Sequence, residues 1–350
     1  MHTIRSDASG AAGKKPLFAG EIRGWSSWAR VFQDIKLFRP LVQEICRLHD
    51  LPFQEPENLT PGTNAVFAVG DMVFKIYAPA EAGFDQSADC DTELFALRRC
   101  HSLGVSVPTV IASGTLQDRY AFRYLVQSRC AGKAFREIWP MTDPCETALS
   151  VMESTPAEFC TVESTSAKVD FGRNLRRLLA PVNTPCETFN SIDVIHDPER
   201  AARWEAFPAD FRADRLRTIA ALCETVWQPG TYVFVHGDLN EDNILLQEDT
   251  ISILDFGDAC LAPVEYEYAL TATELFRLDK AFLRGFFPEY YQGSAPRPMD
   301  ESHPLDALAD LITRGILIHD FGGDVLRQRF SLCENLHSVA DLLAFIRSRL

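Results

Sequence analysis

VHGDLNEDNILLQEDTISILDFGDA, residues 235–259, is the stretch of sequence that decides the fold. It contains His236-Gly237-Asp238, then Asn243, and then Asp255-Phe256-Gly257. The apolar runs TYVFV and ISIL, which precede the two aspartates, are rich in β-branched and aromatic residues and are typical of strands. Strands in these places would bring the side chains of Asp238, Asn243 and Asp255 to one edge, so we expect the three to lie together.

These three residue types suit phosphoryl transfer. That reaction needs a carboxylate to accept the proton of the attacking hydroxyl, and oxygen ligands that hold magnesium against the phosphates. Asp238, on the loop after a buried strand, can accept the proton. Asn243 and Asp255 supply amide and carboxylate oxygens, which bind Mg²⁺ together with phosphate oxygens and water. The stretch therefore predicts a kinase.

Two further Asp-Phe-Gly triplets provide an internal control. Asp170-Phe171-Gly172 follows polar sequence, and Asp320-Phe321-Gly322 ends a stretch that is typical of a helix. Neither lies a short hairpin beyond a pattern like that of Asp238 and Asn243, so we interpret both as chance occurrences. The combination of motifs, and not the triplet alone, indicates the function.

The spacing HGDxxxxN, followed by an apolar strand and an aspartate, resembles the signature of the aminoglycoside phosphotransferase and choline kinase-like family. The resemblance covers roughly residues 55–290. It implies an α+β, protein kinase-like fold of two lobes: an N-lobe with a small antiparallel sheet and one helix, and a larger, mostly helical C-lobe. It also implies that Asp238 is the catalytic base, that Asn243 and Asp255 bind Mg²⁺, and that ATP or GTP is the co-substrate.

The resemblance places the nucleotide site in the first lobe. TPGTNAVFAVG resembles the family's phosphate-covering hairpin, with Thr63 and Asn64 at its tip. Lys75, in VFKIY, stands where the family has a phosphate-contacting lysine, and Glu93 is the candidate carboxylate that orients it. Two alternatives stay open: Lys75 as an edge-strand lysine facing solvent, and Asp91 in place of Glu93.

Acidic residues downstream of Asp255 suggest a cationic substrate. They are Asp258, Glu265, Glu267 and Glu274. Carboxylates bind ammonium groups through charge-assisted hydrogen bonds, so these four are candidates for a pocket that takes an amino sugar or another polycationic alcohol. The alternative is a solvated acidic helix start. The formal net charge of −15 also suits a cationic substrate, and it argues against a nucleic-acid partner.

The chain divides into four predicted segments. We expect a flexible N-terminus at 1–20, a helical extension at 21–52, a nucleotide-binding N-lobe at 53–128 and a helical C-lobe with the catalytic and metal loops at 129–350. Apolar residues recur at helical spacing through the extension, and we expect Pro40 to break or kink that helix.

Bulk properties exclude several classes of protein. The 350 residues, 46% hydrophobic and 24% charged, are enough for two lobes with full cores, which excludes a disordered or fibrous chain. No run approaches the roughly 18–20 apolar residues of a membrane span, and the N-terminus lacks the apolar region of a secretory signal. Ten cysteines without a CxxC pair indicate reduced thiols. We therefore expect a cytoplasmic protein with no membrane partner.

Three functions compete for this sequence. A non-catalytic nucleotide-binding scaffold would be expected to have lost part of the set Lys75, Asp238, Asn243 and Asp255, and all four are present. A protein kinase would carry His-Arg-Asp in place of His-Gly-Asp and an Ala-Pro-Glu after Asp255. We predict a small-molecule O-kinase that acts on an aminoglycoside-like compound or on another amino alcohol or sugar, as a monomer or a dimer.

Overall fold

The computed structural model describes residues 15–59, 62–83, 87–140, 162–186, 202–228, 230–292 and 303–350. The chain divides into two compact units, of which the first ends at Ala131 and the second begins at Gly132. Both units combine antiparallel strands with helices, so the predicted α+β composition is confirmed.

A five-stranded antiparallel sheet forms the centre of the first unit. Its strands are β1 (Glu57–Asn58), β2 (Ala65–Val69), β3 (Met72–Ile76), β4 (Val110–Gln117) and β5 (Ala121–Ser128). They lie in the order β1-β2-β3-β5-β4. β2 and β3 form the predicted hairpin, in which Gly70 turns at φ +61, a left-handed conformation that favours glycine. Because β3 lies between β2 and β5, Lys75 is not on an edge strand.

The helices of the first unit are α1 (Trp25–Val31), α2 (Ile35–Leu48) and α3 (Ser87–Ser102). The N-terminal extension is broken between α1 and α2, before Pro40 is reached. Asp34 caps α2, because its Oδ1 accepts the N–H groups of Lys36 (2.9 Å) and Leu37 (3.4 Å). Pro40 lies inside α2 and does not end it. The Asp34 cap satisfies N–H groups at the start of α2. The break in the extension therefore lies at Asp34 and not at Pro40, where the sequence predicts it.

Residues 15–20, predicted as part of a flexible terminus, are fixed to the sheet. The Phe18 side chain is fully buried, and its ring centroid lies 5.2 Å from that of Phe122 on β5. The Asp118 carboxylate accepts the backbone N–H groups of Leu17 and Phe18, both at 2.9 Å. Burial of the phenyl ring makes this order favourable. Residues 1–14 of the predicted terminus lie outside the described residues.

The second unit holds two small antiparallel sheets and a larger number of helices. In the first sheet β7 (Val233–Val235) pairs with β10 (Cys260–Ala262). The second has the order β6-β8-β9 and consists of β6 (Lys133–Ala134), β8 (Ile244–Gln247) and β9 (Thr250–Ile253). Both aspartate-bearing segments of the decisive stretch therefore follow strands, as predicted.

The helices of the second unit are α4 (Phe135–Ile138), α5 (Val162–Leu179), α6 (Ala209–Thr225), α7 (Val264–Leu270), α8 (Lys280–Phe286), α9 (Pro288–Tyr291), α10 (Pro304–Ile318), α11 (Gly322–Phe330) and α12 (Val339–Arg349). A π-helical turn, Thr271–Leu275, directly follows α7. Within the described ranges, no helix of either unit is long and apolar enough to cross a membrane.

The two other Asp-Phe-Gly triplets occupy unrelated places. Asp170-Phe171-Gly172 lies inside α5, and a Cβ at Gly172 would lie 2.4 Å from the carbonyl oxygen of Phe282 on α8. That glycine allows the two helices to touch. Asp320-Phe321-Gly322 connects α10 to α11. Neither triplet follows a strand.

Candidate active site

The loop that carries Asp238 is shaped by a close backbone contact. It begins where β7 ends, at His236, and runs to Asn243, immediately before β8; we call residues 236–243 the catalytic loop. Gly237 has φ +86, and a Cβ there would lie 2.1 Å from the carbonyl oxygen of Asp258. Only glycine combines this φ with so close an approach, so Gly237 lets the catalytic loop pass directly against the segment after Asp255.

His236 ties the catalytic loop to the strand before Asp255. The ring is fully buried, and its centroid lies 4.4 Å from that of Phe256. Its Nδ1 accepts the backbone N–H of Asp238 at 3.2 Å, which leaves the proton on Nε2 for the carbonyl of Leu254 at 2.8 Å. Both ring nitrogens thus hold the loop in place.

We predicted that Glu267 binds the substrate. In the structure it instead accepts hydrogen bonds from the backbone of the catalytic loop. Its side chain is on α7 and only 1% of the residue is exposed. Oε2 accepts the backbone N–H groups of His236 (3.0 Å) and Gly237 (3.3 Å). Burial raises the pKa of Glu267 to about 7; the two backbone donors oppose the rise, and the charge of Asp238 adds to it. In the structure Glu267 therefore positions the catalytic loop, and it is not among the residues that line the cavity next to Asp238.

The raised pKa of Glu267 predicts a pH-dependent stability. Because the folded-state pKa of about 7 lies above the ordinary 4.5, the contribution is complete below pH 4.5 and is lost as the pH rises through 7. Glu267→Gln keeps an oxygen for the two N–H groups and removes the ionisation. Between pH 5 and pH 8 the unfolding free energy of the variant should fall less than that of the parent, by on the order of 1–3 kcal/mol.

The pKa of Asp238 is also raised and would add to the pH dependence of stability. The parent residue Glu267 and the Glu267→Gln substitution are therefore best compared in proteins that also carry Asp238→Asn. Denaturant melts at pH 5, 6, 7 and 8 give the slope for each variant. If the unfolding free energy changes equally with pH with and without the Glu267 substitution, the raised pKa of this buried carboxylate is contradicted.

The Asp238 carboxylate is oriented by two amides. Its Oδ2 accepts Nδ2–H of Asn240 at 3.0 Å and of Asn243 at 3.3 Å, and Asn243 also donates to the Asp238 carbonyl at 2.8 Å. Burial, together with the charges of Asp258, Asp255 and Glu274, raises the pKa of Asp238 to about 7, and the hydrogen bond from Asn240 opposes the rise. A carboxylate with a pKa near the working pH suits general-base catalysis.

The predicted metal ligands fit a hard divalent cation. Asn243 is 9% exposed and directs Nδ2 at Asp238, so its Oδ1 is left for another partner. Asp255 follows β9 with φ +56, and its negative charge is close enough to raise the pKa of Asp238. Amide and carboxylate oxygens next to a concentration of negative charge are the surroundings that Mg²⁺ prefers.

Two arginines that the sequence did not indicate hold the acidic residues inside the catalytic loop. Arg277 pairs with Glu241 at 3.3 Å, and both side chains are at most 16% exposed. Arg136, on α4, pairs with Asp242. Because buried charges interact more strongly than exposed ones, the Arg277–Glu241 pair contributes to the rigidity of the loop.

A cavity of about 210 Å³ opens next to Asp238. Its lining includes Asp238, Asn240, Leu270, Glu274, Phe321 and Asp324. Leu270 comes from α7, Glu274 from the π-helical turn, and Asp324 from α11. Phe321 belongs to a triplet that we interpreted as chance; the triplet is not a metal loop, but its phenyl ring forms one wall of the cavity. The polar and apolar walls of this cavity, together with Asp238, make it the candidate acceptor site.

The four predicted substrate carboxylates do not form one amine pocket. Glu274 lines the cavity, but Arg329 holds it in a two-pronged ion pair, with Nη2 at 2.6 Å and Nε at 3.0 Å. Glu265 pairs with Arg314 at 3.5 Å. Asp258 is exposed, and Glu267 accepts a hydrogen bond from the backbone of the catalytic loop. The sequence shows four acids close together, and the structure gives them different surroundings: Glu265 and Glu274 pair with arginines, Glu267 accepts backbone N–H groups, and Asp258 is exposed.

The nucleotide-side residues of the first unit form a buried ion pair. Lys75 Nζ lies 2.7 Å from Glu93 Oε2, and the side chains are 6% and 1% exposed. The Tyr77 hydroxyl donates to the same oxygen at 2.5 Å. Asp91, the alternative partner, is exposed and pairs with Arg123. The structure thus brings Lys75 together with Glu93, and β3 with α3 holds them.

Thr63 and Asn64 lie immediately before β2. Asn64 is buried, and its Oδ1 accepts the backbone N–H of Ala78 at 3.2 Å. Thr63 is exposed, and its carbonyl accepts the indole N–H of Trp28 at 2.8 Å. The Asn64 side chain therefore fixes the backbone of this loop. Thr60 and Pro61 of the same predicted hairpin lie outside the described residues.

The chain matches a known family over most of its length. Residues 61–301, more than half of the 350, match the model of the phosphotransferase enzyme family, APH. No curated protein sequence gives a match. The match begins just before Thr63 and includes the catalytic loop and Asp255, but the cavity residues Phe321 and Asp324 lie after its end.

Solved structures share the fold. The GDP complex of wild-type aminoglycoside 2'-phosphotransferase-IIIa is 17% identical, with TM-score 0.53, and the match covers 90% of this chain and 99% of that one. Amicoumacin kinase hAmiN, in complex with AMP-PNP and Ca²⁺, is 14% identical, with TM-score 0.52, over 91% and 94%. A microcompartment-associated aminopropanol kinase is 17% identical, with TM-score 0.50, over 88% and 94%. The predicted protein kinase-like fold is confirmed.

Proposed function

Because the chain belongs to the phosphotransferase enzyme family, and is a small-molecule phosphotransferase, we propose that it is an O-kinase that transfers the γ-phosphoryl group of ATP or GTP to a hydroxyl of its substrate. One observation carries this proposal. A half-buried aspartate, Asp238, whose pKa is raised to about 7 and whose carboxylate is held by two amides, lines a cavity large enough for a small acceptor.

Asp238 is the general base of the proposed reaction. It accepts the proton of the substrate hydroxyl while that oxygen bonds to the γ-phosphorus and the bond to the β–γ bridging oxygen breaks, which releases the nucleoside diphosphate. Asn240 and Asn243 hold the carboxylate in one orientation through Oδ2. The other carboxylate oxygen, Oδ1, then accepts the proton of the hydroxyl.

The remaining residues of the proposed reaction act on the phosphates. Asn243 and Asp255 would hold Mg²⁺, which would neutralise charge on the phosphate oxygens. Lys75, oriented by Glu93 and Tyr77, binds a phosphate oxygen through its ammonium group. Thr63 and Asn64 cover the phosphates through the backbone of their loop, since the Asn64 Oδ1 is engaged with Ala78.

We further infer a compact acceptor with little positive charge. The cavity holds about 210 Å³, below the roughly 300–1,000 Å³ of pockets for drug-sized ligands. Glu274 is neutralised by Arg329, and Asp324 pairs with Arg327 at 2.7 Å. A cavity whose acids are paired in this way attracts a polycation less than four free carboxylates would. An amino alcohol or a single-ring amino sugar suits it better than a multi-ring aminoglycoside.

The test is nucleoside diphosphate release from Mg-ATP or Mg-GTP against choline, ethanolamine, aminopropanol, homoserine, single sugars and aminoglycosides. The product is then identified by its phosphate-ester ³¹P signal. Turnover of one hydroxyl compound into a C–O–P ester supports the O-kinase. Tight nucleotide binding without any ester from the whole panel would argue for the non-catalytic alternative, and turnover of multi-ring aminoglycosides alone would refute the compact acceptor.

A further inference from the structure

The loop before β2 has a support that lies outside the family match. Trp28, on α1, is fully buried and donates Nε1–H to the carbonyl of Thr63 at 2.8 Å. The two residues are 35 positions apart in the chain. α1 precedes residue 61, where the match to the family begins. A residue of the N-terminal extension thus holds the backbone of a loop to which we assign phosphate contacts.

The Trp28 ring is held rigidly enough to act as a support. Its centroid lies 6.2 Å from that of Phe32 in a stacked arrangement and 5.9 Å from that of Phe38 in an edge-on arrangement. Phe38 in turn contacts Phe67 of β2 at 5.4 Å. Aromatic contacts of this kind restrict ring rotation in a close-packed core. The indole N–H is therefore presented to Thr63 in a fixed position.

The other end of the hairpin is attached to the same helix. Gly24, the N-cap of α1, donates its backbone N–H to the carbonyl of Glu81 at 2.7 Å. Glu81 lies in the short 3-10 turn Ala80–Ala82, a few residues after β3. α1 consequently contacts the chain both before β2 and after β3, and between these two points lies the hairpin that carries Lys75.

We propose that α1 braces this hairpin, and that Trp28 is a positioning residue for nucleotide binding through its bond to Thr63. The inference rests on the proposed function, because it assigns the loop of Thr63 and Asn64 to the phosphates. Asn64 fixes the loop from the inner side through Ala78, and Trp28 fixes it from the side of the extension. Removal of the indole N–H releases the attachment to α1.

The sharpest variant is Trp28→Phe, which retains an aromatic ring in the core and removes the donor. We expect the dissociation constant of Mg-ATP or Mg-GTP to rise about 3- to 10-fold, the range that one neutral hydrogen bond supplies. We expect kcat at saturating nucleotide, and the KM of the acceptor, to stay within about twofold of the parent. Isothermal titration calorimetry and steady-state kinetics measure these values.

Two controls separate positioning from a general loss of stability. Trp25→Phe makes the same substitution in α1 at a side chain that is 45% exposed, and nucleotide affinity should not change. Ile45→Ala opens the same core from α2, where Ile45 is 1% exposed, and should lower the melting temperature without weakening nucleotide binding. Equal weakening by Ile45→Ala and Trp28→Phe would overturn the positioning role, as would parental affinity in a folded Trp28→Phe protein.

A local measurement keeps this inference separate from the proposed function. Amide hydrogen exchange over residues 62–69 should accelerate in Trp28→Phe without nucleotide, and not in Trp25→Phe. If the parent binds neither ATP nor GTP, the proposed function fails and the nucleotide role fails with it. If the parent binds nucleotide but the exchange of residues 62–69 is the same in Trp28→Phe, the brace alone is refuted.

Discussion

Asp238→Asn is expected to lower kcat by about 10²- to 10⁴-fold, the contribution of a positioned general base. The KM of the nucleotide should stay near that of the parent, because the base acts on the acceptor hydroxyl and not on the phosphates. The substitution preserves the shape of the side chain and leaves an oxygen that can accept the N–H groups of Asn240 and Asn243. Steady-state kinetics with a saturating acceptor measure the effect.

Stability provides a second, independent reading of the same variant. The folded-state pKa of Asp238 is about 7, above the ordinary 3.8. Its favourable contribution is therefore complete below pH 3.8 and is lost as the pH rises through 7. A neutral side chain escapes this loss, so Asp238→Asn should melt at pH 8 at a temperature equal to or above that of the parent. A misfolded variant would show the opposite.

The matched control is Asp249→Asn, which changes an exposed aspartate in the turn between β8 and β9. It should retain parental kcat. Parental turnover in Asp238→Asn, with the control behaving as expected, would contradict the assignment of the base.

The grouping of Asp238, Asn243 and Asp255 was predictable because these residues lie close together in the chain. Asp238 and Asn243 are separated by one loop, and Asp255 by one hairpin, so local spacing alone brings them near each other. Only one strand of this hairpin was predicted, because the sequence analysis indicated β9 and made no assignment for the residues of β8. The pairing of β8 with β9 supplies the register that brings Leu254 against His236.

Distant partners explain what the sequence could not predict. Arg136, Arg277 and Arg329 pair with acidic residues from other elements of the second unit, and no local pattern encodes such a pairing. Glu267 is an acid near a helix start, which sequence reasoning assigns to solvent or to a cationic ligand. Its burial follows from α7 packing against β7, a tertiary contact. Trp28 was recognised as an apolar helix residue, and its N–H contact with Thr63 has no sequence signal.

The second large effect is expected at Asp255. Asp255→Asn should weaken Mg-dependent nucleotide binding by about 10- to 100-fold or more, the scale on which groups around a metal affect its affinity. The loss of one negative charge from an oxygen ligand weakens the attraction to a divalent cation. Asn is the informative replacement, because Asp255 has φ +56, a left-handed conformation that Asn tolerates and that Ala adopts at a cost.

The chain contains its own control for this substitution, because Asp170 begins an identical Asp-Phe-Gly triplet inside α5. Asp170→Asn should leave nucleotide affinity unchanged at every magnesium concentration. Titration of nucleotide at rising Mg²⁺ separates the two cases, since a lost metal ligand is partly compensated by excess metal and a misfolded site is not. If Asp255→Asn binds Mg-nucleotide as tightly as Asp170→Asn does, Asp255 is not a metal ligand, and the function of the segment after β9 must lie in its backbone contact with Gly237.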